Sequence, residues 1–342
     1  MPIPTAVDQR TQPFHDILVI LMSHATRYYA ACCQTDFASP ATRREIPARV
    51  DRMLELIDSA VIGYEPFPPV RLVVFPEFAH TPPVYNTVRE LEEHLAVPVP
   101  NEHTHRYSLH ARHHGIYIQT GTFLEKDENY PGVVFNTTCL VGPGGVLARY
   151  RKTHPWIPWE VHASPHDIPG YGEDPFPVVD TELGRLGAAI CYDWLFPEAI
   201  RQLALKGAEV LIRVSAYMDP WGTAAPLDWW TLVNRCRALE NIAYVVAANQ
   251  GARLANYPPF SWPGGSMVVD FDGRILAQAE PGPGERIVVA PVVSMPCAES
   301  APAVAGITCF LTCAPSSTPG IPVRSIPGGP KRSRTTSRKT TG

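Results

Sequence analysis

A carboxylate, an ammonium and a thiol each stand just past a short strand-like run in this chain. Glu77 follows Arg71-Leu-Val-Val-Phe75, Lys152 follows residues 146–151, and Cys191 follows Gly187-Ala-Ala-Ile190. Each run has the residue types of a β-strand. In open α/β sheets ligands gather beyond the carboxyl ends of strands, so three distant segments would deliver these side chains to one edge. A free thiol titrates near ~8.5 and needs a base or a positive charge beside it to act as a nucleophile at neutral pH. Glu77 has the chemistry to take that proton and pass it to a leaving amine. Lys152, with the backbone N–H of Tyr192, has the chemistry to hold the oxyanion of a tetrahedral intermediate. Such a set suits attack on an amide carbonyl or a nitrile carbon. Singly, each residue has an ordinary explanation: a small buried hydrophobe for Cys191, a helix N-terminal charge for Glu77, a solvated loop charge for Lys152. Their convergence at three strand ends is what points to catalysis.

The elements that must position them alternate along the chain. Strands are expected at 28–33, 71–75, 115–121, 133–141, 146–151, 187–190, 209–214, 242–248 and 286–290. Val50, Met53, Leu54, Ile57 and Val61 carry the three–four spacing of an amphipathic helix over 41–61, and further helices are expected at 86–95, 103–114, 198–206 and 227–240. Gly142-Pro-Gly-Gly145 and Asp272-Gly273 read as hairpin turns. This alternation, with hairpins inserted, predicts one α/β domain with helices on the sheet faces.

Composition narrows the classes. The 342 residues are 45% hydrophobic and 18% charged, which excludes a disordered or collagen-like chain. The net charge of −4 excludes a bulk nucleic-acid binder. No apolar run reaches the roughly 18 residues that span a bilayer, and no secretory leader pattern opens the chain. A cytoplasmic location, without membrane or nucleic-acid partners, is expected. The eight cysteines are accordingly expected to be reduced thiols. The 37 prolines, about twice the usual ~5% share, imply many stiff loops. Residues 1–24 read as an N-terminal extension. Residues 291–342 hold six Lys/Arg against the single acid Glu299 and have no period after Leu311, the composition of a disordered basic tail.

Phe75-Pro-Glu77, Tyr150-Arg-Lys152 and Cys191-Tyr-Asp193 followed by Phe196-Pro-Glu198 resemble the three catalytic boxes of the nitrilase, or carbon–nitrogen hydrolase, superfamily. The resemblance spans about residues 25–290. It implies an α-β-β-α sandwich, a Glu–Lys–Cys triad, no metal or organic cofactor, and a homo-oligomer. Tyr150-Arg-Lys-Thr-His-Pro-Trp-Ile-Pro-Trp-Glu160 and the run from Lys206 to Pro220 are similar to the aliphatic amidase and formamidase branch. That likeness implies that Glu160 is a second catalytic glutamate, positioning substrate and lysine. It also implies that Trp156 and Tyr217 line the acyl pocket and that Asp193 lies just behind the nucleophile. With Phe78 and Tyr192, these complete the expected substrate-binding set. Phe78 stands where that branch is expected to carry tyrosine, and Tyr-Asp follows Cys191 where true nitrilases carry Trp-Glu. The second departure favours a small-molecule amide over a nitrile. The expected reaction is hydrolysis of a non-peptide amide through an acyl-thioester. The alternatives are a nitrilase, an N-carbamoyl amino-acid amidohydrolase, or a catalytically silent assembly protein.

Other signals are discounted. His110 and His114 have the i, i+4 spacing of a metal pair, in a run that also holds His103, His105 and His113. With no H-E-x-x-H frame around them, they read as a solvated helix face. Cys309 and Cys313 lack a second pair for zinc. The basic run 331–339 reads as solvated.

Overall fold

The computed structural model describes residues 26–156, 160–218, 227–256 and 262–294. The expected N-terminal extension, Trp159, Cys297, Cys309, Cys313 and the basic run 331–339 lie outside the described residues. In chain order the elements are β1 (Thr26–Gln34), α1 (Ile46–Ile62), β2 (Val70–Val74), α2 (Val88–His94), α3 (Glu102–His114), β3 (Tyr117–Gln119), β4 (Phe123–Lys126), β5 (Val134–Gly142) and β6 (Gly145–Arg151). There follow β7 (Val178–Thr181), β8 (Gly184–Ile190), α4 (Pro197–Leu205), β9 (Val210–Ser215), α5 (Trp229–Asn241), β10 (Tyr244–Asn249), β11 (Met267–Val269), β12 (Ile275–Gln278) and β13 (Arg286–Ser294).

These strands make two sheets. One has the order β13-β1-β2-β3-β5-β4, with β6 also on β5; the other runs β12-β11-β10-β9-β8-β7. Side chains of β1 divide by the period of two that a strand imposes. Tyr28, Ala30 and Cys32 join Leu72, Val74, Val210 and Val245 in the core between the sheets. Ala31 and Cys33 point the other way, into a second core with Met53 and Ile57 of α1 and Tyr107 and Ala111 of α3. Ile200 and Leu203 of α4 and Ala238 of α5 cover the outer side of the second sheet. The architecture is the α-β-β-α sandwich. Among the described residues no helix is long and apolar enough to cross a membrane, and no disulfide forms.

Where local pattern and structure differ, pairing is the reason. β13 runs past the expected end at 290 to Ser294, because β1 offers it a partner along its whole length, from Gln34↔Arg286 to Thr26↔Ser294. β4 and β7 are each four residues long, too short for a period to emerge, and exist because a longer neighbour templates them, whereas β11 and β12 are the two arms of the expected Asp272-Gly273 hairpin. α1 begins at Ile46 rather than 41, after a 3-10 turn over Arg43–Glu45. α3 stops at His114 because Gly115 takes a left-handed φ of 65° and turns the chain into β3.

Candidate active site

Four strand ends, two from each sheet, supply the site. β2 leads through Phe75 and Pro76 to Glu77, and β6 runs straight into Lys152. β8 ends at Cys191, which opens a 3-10 turn over Cys191–Leu195, and β9 leads into Ala216 and Tyr217. Two side-chain-bearing residues here take the left-handed backbone region: Phe78 at φ 62° and Cys191 at φ 43°. Each such residue costs about 1–3 kcal/mol and persists only where its surroundings hold it. The Phe78 N–H donates to Thr122 Oγ1 at 2.9 Å. The Ile190 N–H, just before Cys191, donates to Asp193 Oδ2 at 3.0 Å.

Lys152 is the hub. Its buried Nζ donates to Glu77 Oε1 at 2.8 Å and to both oxygens of Glu160, each at 2.8 Å. Glu77 is further fixed by Asn136 Nδ2 on Oε1 at 2.9 Å and the Ala216 N–H on Oε2 at 3.0 Å. Its own carbonyl accepts from Gln250 Nε2 at 2.8 Å. Asn136 serves both partners, since its carbonyl accepts the Lys152 N–H at 2.9 Å. Glu160 Oε2 also accepts the Trp156 N–H, closing a tight loop around the lysine.

The electrostatics follow from burial. Burial pushes the Glu77 carboxyl up to about 7; Lys152 pulls it down and the Glu160 charge pushes it further up. Glu160 is raised by burial against the pull of Lys152. Burial works against the Lys152 charge, but Glu160 and Glu77 outweigh it and hold the ammonium above its ordinary range. Burial, then the Glu77 charge, push the Cys191 thiol up to about 12, with Lys152 opposing. The resting thiol is therefore neutral and needs a base. Beneath it lies Arg213, fully buried, with its guanidinium carbon 4.5, 5.1 and 5.2 Å from the ring centres of Trp230, Tyr217 and Trp194. Burial lowers that group to about 10, still charged at neutral pH.

A cavity of about 340 Å³ opens onto these groups. Glu77, Lys152, Glu160 and Cys191 form its polar end. Phe78, Trp156, Tyr192 and Tyr217, all expected to contact substrate, line it, together with Leu195, Met218, Trp229 and Trp262. Asp193 does not line it. Its carboxylate is fully buried and accepts from Tyr150 Oη at 2.7 Å, Thr153 Oγ1 at 2.9 Å and the His154 N–H at 2.8 Å. It binds the lysine segment to the cysteine turn.

Sequence reasoning missed Asn136, the Ala216 N–H, Met218 and Trp262. Only Asn136 left a trace: Asn136-Thr-Thr138 is a polar run inside a strand buried along its whole length, and buried polar groups need partners. Tyr192 stands second in its 3-10 turn, so its N–H has no partner within that turn. It is available to an oxyanion formed at Cys191.

The two-sheet sandwich with a buried carboxylate, ammonium and thiol at one cavity defines a hydrolase of the nitrilase type. Residues 29–298 match the profile described as carbon-nitrogen hydrolase, and the chain belongs to that family. It is an enzyme acting on non-peptide carbon–nitrogen bonds, and hydrolysis of amide C–N bonds is its general activity. The formamidase of Bacillus cereus (strain Q1) is 32% identical over 264 residues, 76% of this chain and 72% of the relative. Nit3 of Saccharomyces cerevisiae, a member of branch 10 of the nitrilase superfamily, matches with a TM-score of 0.64 and 28% identity, covering 78% of this chain and 89% of that one. A nitrilase-superfamily amidase of Nesterenkonia AN1 shares the fold at a TM-score of 0.57 and 23% identity, over 78% of this chain and 90% of its own.

Proposed function

We propose that the protein hydrolyses a small primary amide with an apolar acyl group, through an acyl-thioester on Cys191. The observation that carries this reading is the clamp of Lys152 between Glu77 and Glu160 beside Cys191 at the polar end of the cavity. Cys191 Sγ attacks the amide carbonyl carbon while Glu77 takes the thiol proton. The oxyanion rests on the Lys152 ammonium and the Tyr192 N–H. As the C–N bond breaks, Glu77 returns the proton to the nitrogen and ammonia leaves. Water then attacks the thioester with Glu77 again accepting a proton, and the carboxylic acid departs as Cys191 recovers its own. Glu160 positions Lys152 and the substrate amide.

The acyl group extends past Cys191 towards Phe78, Met218 and Trp262, an apolar lining. A formyl group, the acyl unit implied by the name of the formamidase relative, would leave most of that volume unfilled. An N-carbamoyl amino acid is less well served. Its carboxylate would need a cation, and among the described residues Lys152 is the only one lining the cavity, already held by two glutamates. The test is ammonia release from a panel of formamide, aliphatic and aryl amides, carbamoyl amino acids and nitriles, with Cys191→Ala as the blank. Amide turnover, coupled to a thioester adduct seen by mass spectrometry and lost in the blank, is expected. Turnover of nitriles alone, or turnover that survives in Cys191→Ala, would overturn the reading.

A further inference from the structure

The His110 and His114 pair does not lie on a freely solvated helix face. α1 packs against α3, and Asp58 of α1 reaches across to both rings. His114 Nε2 is 2.8 Å from Asp58 Oδ1, and His110 Nε2 is 3.3 Å from the same oxygen. The i, i+4 spacing puts the two imidazoles on one side of α3, with ring centres 5.8 Å apart. One ligand atom from each of the three residues lies within 4.8 Å of the others.

From this convergence the geometry points to a binding site for a borderline divalent metal ion of the zinc or cobalt class, held by Asp58, His110 and His114 between α1 and α3. Zinc takes imidazole nitrogen and carboxylate oxygen at about 2.0–2.2 Å, which sets neighbouring donor atoms about 3.3 Å apart in a tetrahedron. The separations of 2.8 and 3.3 Å lie just below and at that figure, and the third pair of donors lies within 4.8 Å, so side-chain adjustment alone admits the ion. Two imidazoles in the set favour a zinc-like ion over calcium or magnesium, which take oxygen ligands. The His114 side chain is only 10% exposed and held in place, while that of Asp58 is 42% exposed. Three protein ligands thus leave the fourth position to a water on the solvent side. None of the three lines the active-site cavity. The ion would fasten α1 to α3, the two helices that cover the first sheet.

The experiment uses the full chain with Cys191→Ala, which removes the cavity thiol as a rival ligand, kept reduced and stripped with a chelator. Titration with Zn²⁺ by calorimetry and with Co²⁺ by visible absorption is expected to give one equivalent, with a cobalt spectrum free of thiolate charge transfer. His110→Gln, at the more exposed of the two histidines, and His114→Gln are each expected to weaken binding by more than about tenfold. Each should also abolish the Zn²⁺-dependent rise in thermal midpoint. His105→Gln, exposed on the same helix and outside the cluster, should change neither. Absence of a bound equivalent, or binding equally strong in His110→Gln and His105→Gln, would overturn the assignment. Circular dichroism of each variant separates ligand loss from misfolding.

Discussion

The Asp193 carboxylate accepts the Tyr150 hydroxyl at 2.7 Å and so ties the segment that delivers Lys152 to the turn that delivers Cys191. Its other oxygen takes the Thr153 hydroxyl and the His154 N–H, while the first also takes the Ile190 N–H. A single buried acid thus sets the spacing between the ammonium and the thiol from outside the cavity lining.

Asp193→Ala leaves those donors buried and unpaired. The expected cost is about 3 kcal/mol of stability, measured by chemical denaturation. The folded remainder should turn over about 10²-fold more slowly, because the nucleophile and the oxyanion site lose their mutual alignment. Asp193→Asn, which keeps two acceptor lone pairs, should recover part of the stability.

The acid limb of kcat/KM should fall near pH 7. Burial raises the Glu77 carboxyl to about that value, and only the ionised form accepts the thiol proton. Activity therefore drops as pH falls through this range and Glu77 gains a proton. The profile of kcat/KM reports groups of the free enzyme, so the limb should keep its place whichever amide is used.

Glu160→Gln should retain the fold and lose at least about 10²-fold in kcat, because the ammonium is no longer aimed. The acid limb should also move to lower pH. Glu160 is one of the charges that raise Glu77, and removing it leaves Lys152 to favour the Glu77 carboxylate. A purely structural glutamate would lower the amount of folded enzyme without moving that limb.

Selectivity should follow acyl length. Along formamide, acetamide, propionamide and butyramide, kcat/KM should rise about fourfold per methylene, the equivalent of ~0.8 kcal/mol of apolar burial. Met218→Trp, which fills the cavity, should flatten or reverse the series while leaving formamide turnover nearly unchanged.

Glu77, Lys152 and Cys191 were legible because each follows a strand whose end is visible in the chain, and backbone direction alone carries such residues to a sheet edge. Asn136 was hidden for the opposite reason: it sits mid-strand, and which of its neighbours needs a hydrogen bond depends on which strands pair. The Ala216 N–H has no side chain to announce it. Asp58 could not be paired with His110 or His114 from spacing, since the packing of α1 on α3 decides their contact. The expectation of a solvated histidine face holds for His105 and His113, which are exposed, and failed for His110 and His114 on that tertiary fact. β4 and β7 were invisible because a short strand takes its identity from its neighbour.

Glu77 and Lys152 hang from one sheet, Cys191 and Ala216 from the other. The reacting groups are therefore aligned by how two leaves lie on each other, as marks on two rulers are. A slip of one residue along a strand is about 3.3 Å, more than the whole length of the 3.0 Å hydrogen bond by which the Ala216 N–H of one sheet holds the Glu77 carboxylate of the other. Trimming a methyl group in the core between the sheets, at Val245 for example, would then register first as lost turnover and only later as a lower melting point. Turnover in this enzyme doubles as a gauge of interlayer alignment.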